Sequence, residues 1–332
     1  MITIAKSGLL TIIQDLGRYG YQKSGVIASG AMDSLAHRIA NLLVGNEEKE
    51  ATLEITLLGP DVHFQKDALI SICGGDLAPS INGKPVRTWR PILVKKDSVL
   101  RFGPCKEGCR AYLAIAGGVA VPLIMGSKST YLKARIGGYN GRALTSGDQL
   151  SINESGELSQ EIIRSLTLLS NSDFIEAEWS ASNEFLLTNK KERPIRALRG
   201  RQFHLFTKES QEKIFQAAFE ITPQSDRMGY RLTGPSLSLE SAEEMISEAV
   251  NFGTIQVPSD GNPIILLADR QTTGGYPKIA QVATVDLPLL AQAKPGEHLH
   301  FTEISHHEAQ QLFLDQERTV QQLKNGIYLK FK

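Results

Sequence analysis

The feature that most limits what this chain can fold into is that its apolar residues come in short runs, each closed off by glycine, proline or asparagine. Ala68-Leu69-Ile70-Ser71-Ile72-Cys73, Ala111-Tyr112-Leu113-Ala114-Ile115 and Ile264-Ile265-Leu266-Leu267-Ala268 are of this kind. Runs of that length, bounded by turn residues, read as buried strands and are too short for typical helices. Asn82-Gly83, between two strand-like segments, supplies the positive φ that a two-residue hairpin turn demands. With 29 glycines and only 7% aromatic residues, the composition favours turns over long helices. The expected fold class is therefore mainly β with a few helices. A length of 332 residues favours two domains of similar size over one or three.

Helical periodicity is confined to a few places. Met32, Leu35, Ala36, Ile39, Ala40 and Leu43 fall on one face, with Asp33 or Ser29 available as N-cap and Gly45 placed to end the helix. Ser305-His306-His307-Glu308 has the spacing of a capping box, and Ala309, Leu312, Phe313, Val320 and Leu323 continue an apolar stripe to Asn325-Gly326. Ile214, Phe215, Ala218 and Phe219 suggest one more short helix. A polar turn leading into a short strand recurs at 96–102, 146–152 and 295–301, which leaves an internal duplication open. The least patterned stretch runs from Asn153 to Pro194 and ends in the charged run Asn189-Lys190-Lys191-Glu192-Arg193. The domain boundary is placed there, giving 1–190 with a trailing linker and 191–332.

The 36 basic and 36 acidic residues balance, so no global positive field exists to draw nucleic acid or an anionic membrane. No apolar run reaches the roughly twenty residues a membrane-spanning helix needs. The start Met1-Ile2-Thr3-Ile4-Ala5-Lys6 turns polar too soon for a secretory signal, and the three cysteines, Cys73, Cys105 and Cys109, suit a reducing compartment. A cytoplasmic protein is expected. Cys105 and Cys109 lack the further ligands that would complete a zinc site, and His298, His300, His306 and His307 have no acidic or cysteine ligand at matching spacing, so no metal is expected.

Phosphate-loop, dinucleotide, nucleophile-elbow and zinc-protease signatures are all missing; Gly137-Gly138-Tyr139-Asn140-Gly141 has the wrong spacing for the second. What remains are glycines beside polar side chains. In Gln14-Asp15-Leu16-Gly17-Arg18, Gln14 can donate and accept, Asp15 can accept or act as a base, and Arg18 can clamp an oxyanion. The competing reading is a turn held by an Asp15–Arg18 pair. Asp269-Arg270-Gln271-Thr272-Thr273-Gly274-Gly275-Tyr276 follows an apolar strand directly and can present hydroxyls and backbone N–H groups to an anionic ligand, or simply turn. Gly117-Gly118 and Gly126-Ser127-Lys128-Ser129-Thr130 offer hydroxyls and an ammonium near glycine, as anion or nucleotide sites do, or form a solvated loop. Asp226-Arg227-Met228-Gly229 sets an acid beside arginine, for substrate or for structural pairing.

Taken in order, Gln14-Asp15-Leu16-Gly17-Arg18, Ser29-Gly30-Ala31-Met32-Asp33, Ala40-Asn41 with Gly45-Asn46, Ala116-Gly117-Gly118, Gly126-Ser127 with Ser129-Thr130, Asp226-Arg227-Met228-Gly229 and Gln271-Thr272-Thr273-Gly274-Gly275-Tyr276 resemble the biotin-dependent carboxyltransferase family along nearly the whole chain. That family includes the C subunit of bacterial 5-oxoprolinase, the Kip antagonist and the allophanate-hydrolase-like part of urea amidolyase. The resemblance implies two cyclophilin-like β-barrel domains. It implies ATP-dependent opening of 5-oxoproline to L-glutamate, with an A subunit plus a KipI-like B subunit as partners, and antagonism of a KipI-type inhibitor of a sporulation histidine kinase. ATP with Mg2+ would then enter at the level of the complex. The alternative is carboxyl transfer from carboxybiotin to a urea-like amide; no Met-Lys-Met biotinyl tract occurs in this chain, so the biotin would come from elsewhere. Under the resemblance Asp15 and Asp269 are the catalytic candidates, and Gln14, Arg18, Asp226, Arg227, Gln271, Thr272, Thr273, Gly274, Gly275 and Tyr276 are substrate contacts. If the two aspartates are catalytic, alanine at either abolishes turnover without preventing partner binding.

Overall fold

A computed structural model describes all residues except 169–171, 183–184, 186–193, 242–244 and 332. The charged run expected to mark the domain boundary lies, from Lys190 to Arg193, outside the described residues. The chain divides into two compact units, Met1–Arg18 with Ser29–Asn189 and Thr319–Lys332, and Tyr19–Ala28 with Lys190–Arg318. Each unit thus borrows a segment that a single cut would assign to the other.

The first unit is two six-stranded sheets. One runs in the spatial order Gln149–Leu150, Ile2–Lys6, Asp61–Phe64, Val99–Arg101, Ser80–Ile81, Lys84–Pro85; the other runs Phe174–Glu176, Ile92–Val94, Ala68–Asp76, Glu107–Ile115, Thr52–Thr56, Leu10–Gln14. The two long central strands explain the uninterrupted apolar runs. Ile70, Ile72, Ala111, Leu113 and Ile115 face the core shared with the first sheet, whereas Leu69, Cys73, Tyr112 and Ala114 face a second core that takes Leu35, Ile39, Leu42 and Leu43 of the helix Ser34–Leu43. A strand buried on both faces has no polar side to alternate with.

The expected Asn82-Gly83 hairpin is present, pairing Ser80 with Pro85 and Ile81 with Lys84, with φ of 49° at Asn82 and 81° at Gly83. Asp33 caps the first helix by accepting from Ala36 N at 2.9 Å. Ser305 and Glu308 close the capping box of the helix His306–Phe331, with Ser305 N donating to Glu308 Oε2 at 2.7 Å and Glu308 N to Ser305 Oγ at 3.2 Å. That helix runs past Asn325-Gly326 because Ile327 is buried beyond it and Phe331 packs on Trp179. Two expectations need correction. The helix Lys208–Gln216 stops before Ala218 and Phe219, which belong to the strand Ala218–Ile221, where Phe219 pairs with Leu299. A helix, Glu157–Thr167, lies in the stretch that carries the weakest pattern; it buries Ile162 and Leu166 and has no side-chain N-cap to announce it.

The second unit closes into a seven-stranded barrel in the order Ile195–Arg199, Lys278–Val282, Thr254–Gln256, Ile264–Leu266, Gly229–Thr233, Ala218–Ile221, His298–Glu303. Closure comes from the parallel pairing of Ile195 with Phe301, the remaining neighbours being antiparallel. Its interior holds Ile221, Leu232, Ile255, Ile265 and Ala280, with the Phe219 and Phe301 rings 6.2 Å apart. No described helix is long and apolar enough to cross a membrane. Cys105 Sγ donates to Gly108 O at 2.9 Å, Cys109 is buried, and no group of three or more metal-binding side chains gathers among the described residues.

His37, on the buried face of the helix Ser34–Leu43, has its Nδ1 2.9 Å from Thr52 Oγ1. Burial pushes its imidazole from 6.5 down to about 4, outweighing the opposing pull of Asp15. A histidine held neutral in the folded state contributes stability that is complete above its unfolded pKa and is lost as pH falls from 6.5 toward 4. The shift corresponds to about 3 kcal/mol. Urea midpoints of the native protein are expected to fall between pH 7 and pH 4.5 by more than those of His37→Gln, and equal slopes would remove this residue from the acid response.

Candidate functional site

In the first unit two segments that are separate in sequence form one knot. The strand Leu10–Gln14 ends against the loop 127–130: Gln14 Nε2 donates to Thr130 O at 2.9 Å, and Thr130 N returns a bond to Ile13 O at 2.9 Å. Asp15 is the hub. Its Oδ1 accepts from Gly17 N at 2.8 Å and from the hydroxyls of Ser127 (2.7 Å) and Ser129 (2.5 Å), and its Oδ2 accepts from Lys128 N at 2.6 Å. Arg18, 1% exposed, donates from Nε to Ile124 O at 2.9 Å and from Nη2 to Ser129 O at 3.0 Å. Ser29 Oγ donates to Thr130 O at 3.0 Å. Gly137, at φ 68°, completes the fit, since a Cβ there would lie 2.1 Å from Ser129 O and 2.8 Å from Arg18 Nη2.

This geometry decides what the knot can do. The Asp15–Arg18 turn pair expected from sequence is replaced by other bonds, because Asp15 gives its oxygens to Gly17 N and the loop 127–129 while Arg18 Nε and Nη2 donate to backbone carbonyls. The anion or nucleotide reading of the glycine-flanked loop fits poorly as well. Ser127 and Ser129 give their hydroxyls to Asp15, Lys128 Nζ lies 2.8 Å from Glu50 Oε2, and a Cβ on Gly118 would meet that same carboxylate at 2.5 Å. Gly117 packs on Asn153 O, which a Cβ would approach to 2.2 Å. Phosphate oxygens would face a carboxylate and engaged donors, so no ATP contact is assigned here. The knot instead fixes the loop that carries Leu123, Ile124 and Met125, all exposed.

In the second unit the strand Ile264–Leu266 leads to Asp269, which meets Arg227 in a bidentate pair: Nε to Oδ2 at 2.9 Å and Nη2 to Oδ1 at 3.1 Å, both side chains 6% exposed. Asp226 is separate from that pair. Its Oδ1 accepts from Met228 N at 2.7 Å and Gly229 N at 3.3 Å, shaping its own turn. Arg270 donates to the carbonyls of Val250 and Leu267, both at 3.3 Å, and burial lowers its pKa. Gln271 is exposed and Thr272 O accepts from Val250 N, after which Thr273–Gly274 pairs with Glu248–Ala249. Gly274 leaves room for Gln256, whose Nε2 would stand 2.4 Å from an added Cβ and reaches Tyr276 O at 3.3 Å.

Gly275 and Tyr276 then line a cavity of about 420 Å³, together with Phe206, Ser236, Ser238, Ser241 and Ser259. Hydroxyls and an exposed phenol around an apolar floor suit a small ligand with a few polar groups. Of the sequence candidates, Gln14, Asp15, Arg18 and Ser127–Thr130 come together in one unit, Arg227 with Asp269 in the other, and only Gly275 and Tyr276 line this cavity. The serines escaped sequence reasoning. Their signal was the serine–leucine alternation of Ser236-Leu237-Ser238-Leu239, which puts hydroxyls on one side of an extended segment.

A model of the family described as carboxyltransferase domain, subdomain A and B, matches residues 24–303. The 5-oxoprolinase C subunit of Escherichia coli K12 is 38% identical over 323 residues, covering 97% of each chain. That of Haemophilus influenzae is 37% identical over 332 residues, covering 98% of this chain and 100% of its own. Among solved structures, the Kluyveromyces lactis urea carboxylase superposes with a TM-score of 0.86 at 32% identity over 98% of this chain, which spans 29% of that larger protein.

Proposed function

The chain belongs to the carboxyltransferase-domain family, and from that footing we propose that it is the C subunit of an ATP-dependent 5-oxoprolinase, which opens 5-oxoproline to L-glutamate together with an A subunit plus a KipI-like B subunit. The observation that carries the reading is end-to-end similarity to two proteins named as the C subunit of 5-oxoprolinase, with at least 97% of each chain covered. A lactam carbonyl is a poor electrophile because its nitrogen donates into it. ATP, taken at the level of the complex, would supply the phosphoryl group that turns the lactam oxygen into a leaving group. This chain's part would be to hold the substrate. Ser236, Ser238, Ser241 and Ser259 can hydrogen-bond the carboxylate and lactam, and Tyr276 borders the same cavity. The KipI-like partner is also the one that antagonism of a kinase inhibitor would engage.

The test is a reconstitution from all three proteins in which glutamate is measured with and without ATP. Omitting this chain is expected to abolish ATP-dependent glutamate formation, and undiminished turnover without it would sink the reading. Carboxyl transfer to a urea-like amide is the second reading, supported by the likeness to urea carboxylase. It predicts label passing from carboxybiotin to the amide on this chain without ATP, an outcome the hydrolase reading does not produce.

A further inference from the structure

A hollow in the first unit, away from the Asp15 knot and about 380 Å³ in volume, lies where the Ser80–Pro85 hairpin meets the segment 86–90. Its charged lining is unbalanced. Arg87, Arg90 and Lys106 stand against Asp76 alone, and Asp76 Oδ1 already accepts from Ala78 N at 2.8 Å. Arg87 is shared with Glu176, which accepts from Nε at 2.6 Å. Arg90 is the telling residue. One arm of its guanidinium is fixed, Nη1 donating to Ala177 O at 2.9 Å, while its Nε is sealed from solvent and finds no acceptor among the described residues. A guanidinium with one N–H left unpaired is under-satisfied, and an oxyanion is the natural complement of the part of it that lines the hollow. Burial first, and then the neighbouring Arg87, lower the pKa of Arg90 against an opposing pull from Glu176, and an incoming negative charge would favour its charged form.

The lining segment between Arg87 and Arg90 is built with strain. Trp89 adopts φ 60°, a conformation unfavourable for a bulky side chain, and is held there by Trp89 N donating to Ile72 O at 2.8 Å and Ala181 N donating to Trp89 O at 2.9 Å. With Pro79, Pro85 and Ala181 it gives the hollow an apolar side. We propose that this hollow binds a small-molecule oxyanion, a carboxylate or a phosphate, with Arg90 and Lys106 as its cationic contacts and Trp89 against the ligand body.

Because the chain has two tryptophans, the Trp179→Phe variant leaves Trp89 as the sole indole reporter. Its fluorescence would be titrated with L-glutamate, 5-oxoproline and inorganic phosphate at constant ionic strength, with chloride as the blank. A saturable change in at least one arm is expected, and the arm that saturates identifies the source of the oxyanion. Arg90→Gln and Lys106→Gln should each weaken that binding tenfold or more. Lys106 is exposed, so its variant keeps the test meaningful even where Arg90→Gln melts early. No saturable change in any arm, or affinities within twofold of the parent in both variants, would overturn the proposal. The titration needs neither ATP nor a partner, so its failure leaves the 5-oxoprolinase reading standing.

Discussion

Asp15→Ala is expected to destabilise the first unit by about 4 kcal/mol, through stranded donors more than through any lost chemistry. Four donors converge on this carboxylate. The hydroxyls of Ser127 and Ser129 can rotate toward other acceptors, but the backbone N–H groups of Gly17 and Lys128 are fixed by the chain and lose theirs. Both are partly buried, and each orphaned N–H costs roughly 1–3 kcal/mol. Asp15→Asn should lose about half as much: a carbonyl at Oδ1 still serves three donors, while an amide NH2 at Oδ2 opposes Lys128 N–H. Urea unfolding with a probe in the first unit reads these losses. The competing outcome is a variant that unfolds like the parent yet supports no turnover in the reconstituted complex, which would return Asp15 to catalysis.

Local chemistry was legible in the sequence wherever a structural device is written within a few residues. The Ser305–Glu308 capping box, the Asp33 cap and the Asn82-Gly83 turn all form, because each depends on near neighbours. The knot around Asp15 was half legible. Glycine beside aspartate, arginine and serine marked both of its segments, but 112 residues separate Asp15 from Ser127, and only the fold reveals that each segment satisfies the other. The helix Glu157–Thr167 was illegible for a different reason. It covers the sheet with few buried residues, Ser159, Ile162 and Leu166, so its apolar stripe is thin. Phe219 was misplaced because an apolar pair after a helix fits period 3.6 as well as period 2, and the barrel pairing with Leu299 decides the matter. The exchange of Tyr19–Ala28 and Thr319–Lys332 between units follows from packing that no linear boundary can express.

The Arg227–Asp269 pair separates support from chemistry in the second unit. Both side chains are 6% exposed and the fork is bidentate, so removing either partner takes this contact away from a buried charge, at a cost of about 3–5 kcal/mol. Arg227→Met and Asp269→Leu alone should each unfold the barrel at markedly lower urea. The double variant should recover most of the loss, because replacing both members with apolar groups of similar size removes both buried charges as well as the attraction. The pair also joins two backbone turns, with Asp269 N donating to Arg227 O at 2.9 Å and Leu267 N to Met228 O at 3.0 Å, so the position of the following Gly275 and Tyr276 depends on it. A double variant that is stable and still turns over 5-oxoproline in the reconstituted complex assigns both residues to holding that cavity wall. A double variant equally stable but inactive assigns Asp269 to the reaction, because stability would then be restored while the carboxylate alone is missing. Coupling near zero in the cycle would contradict the buried pair itself, since two charges in bidentate contact cannot contribute independently.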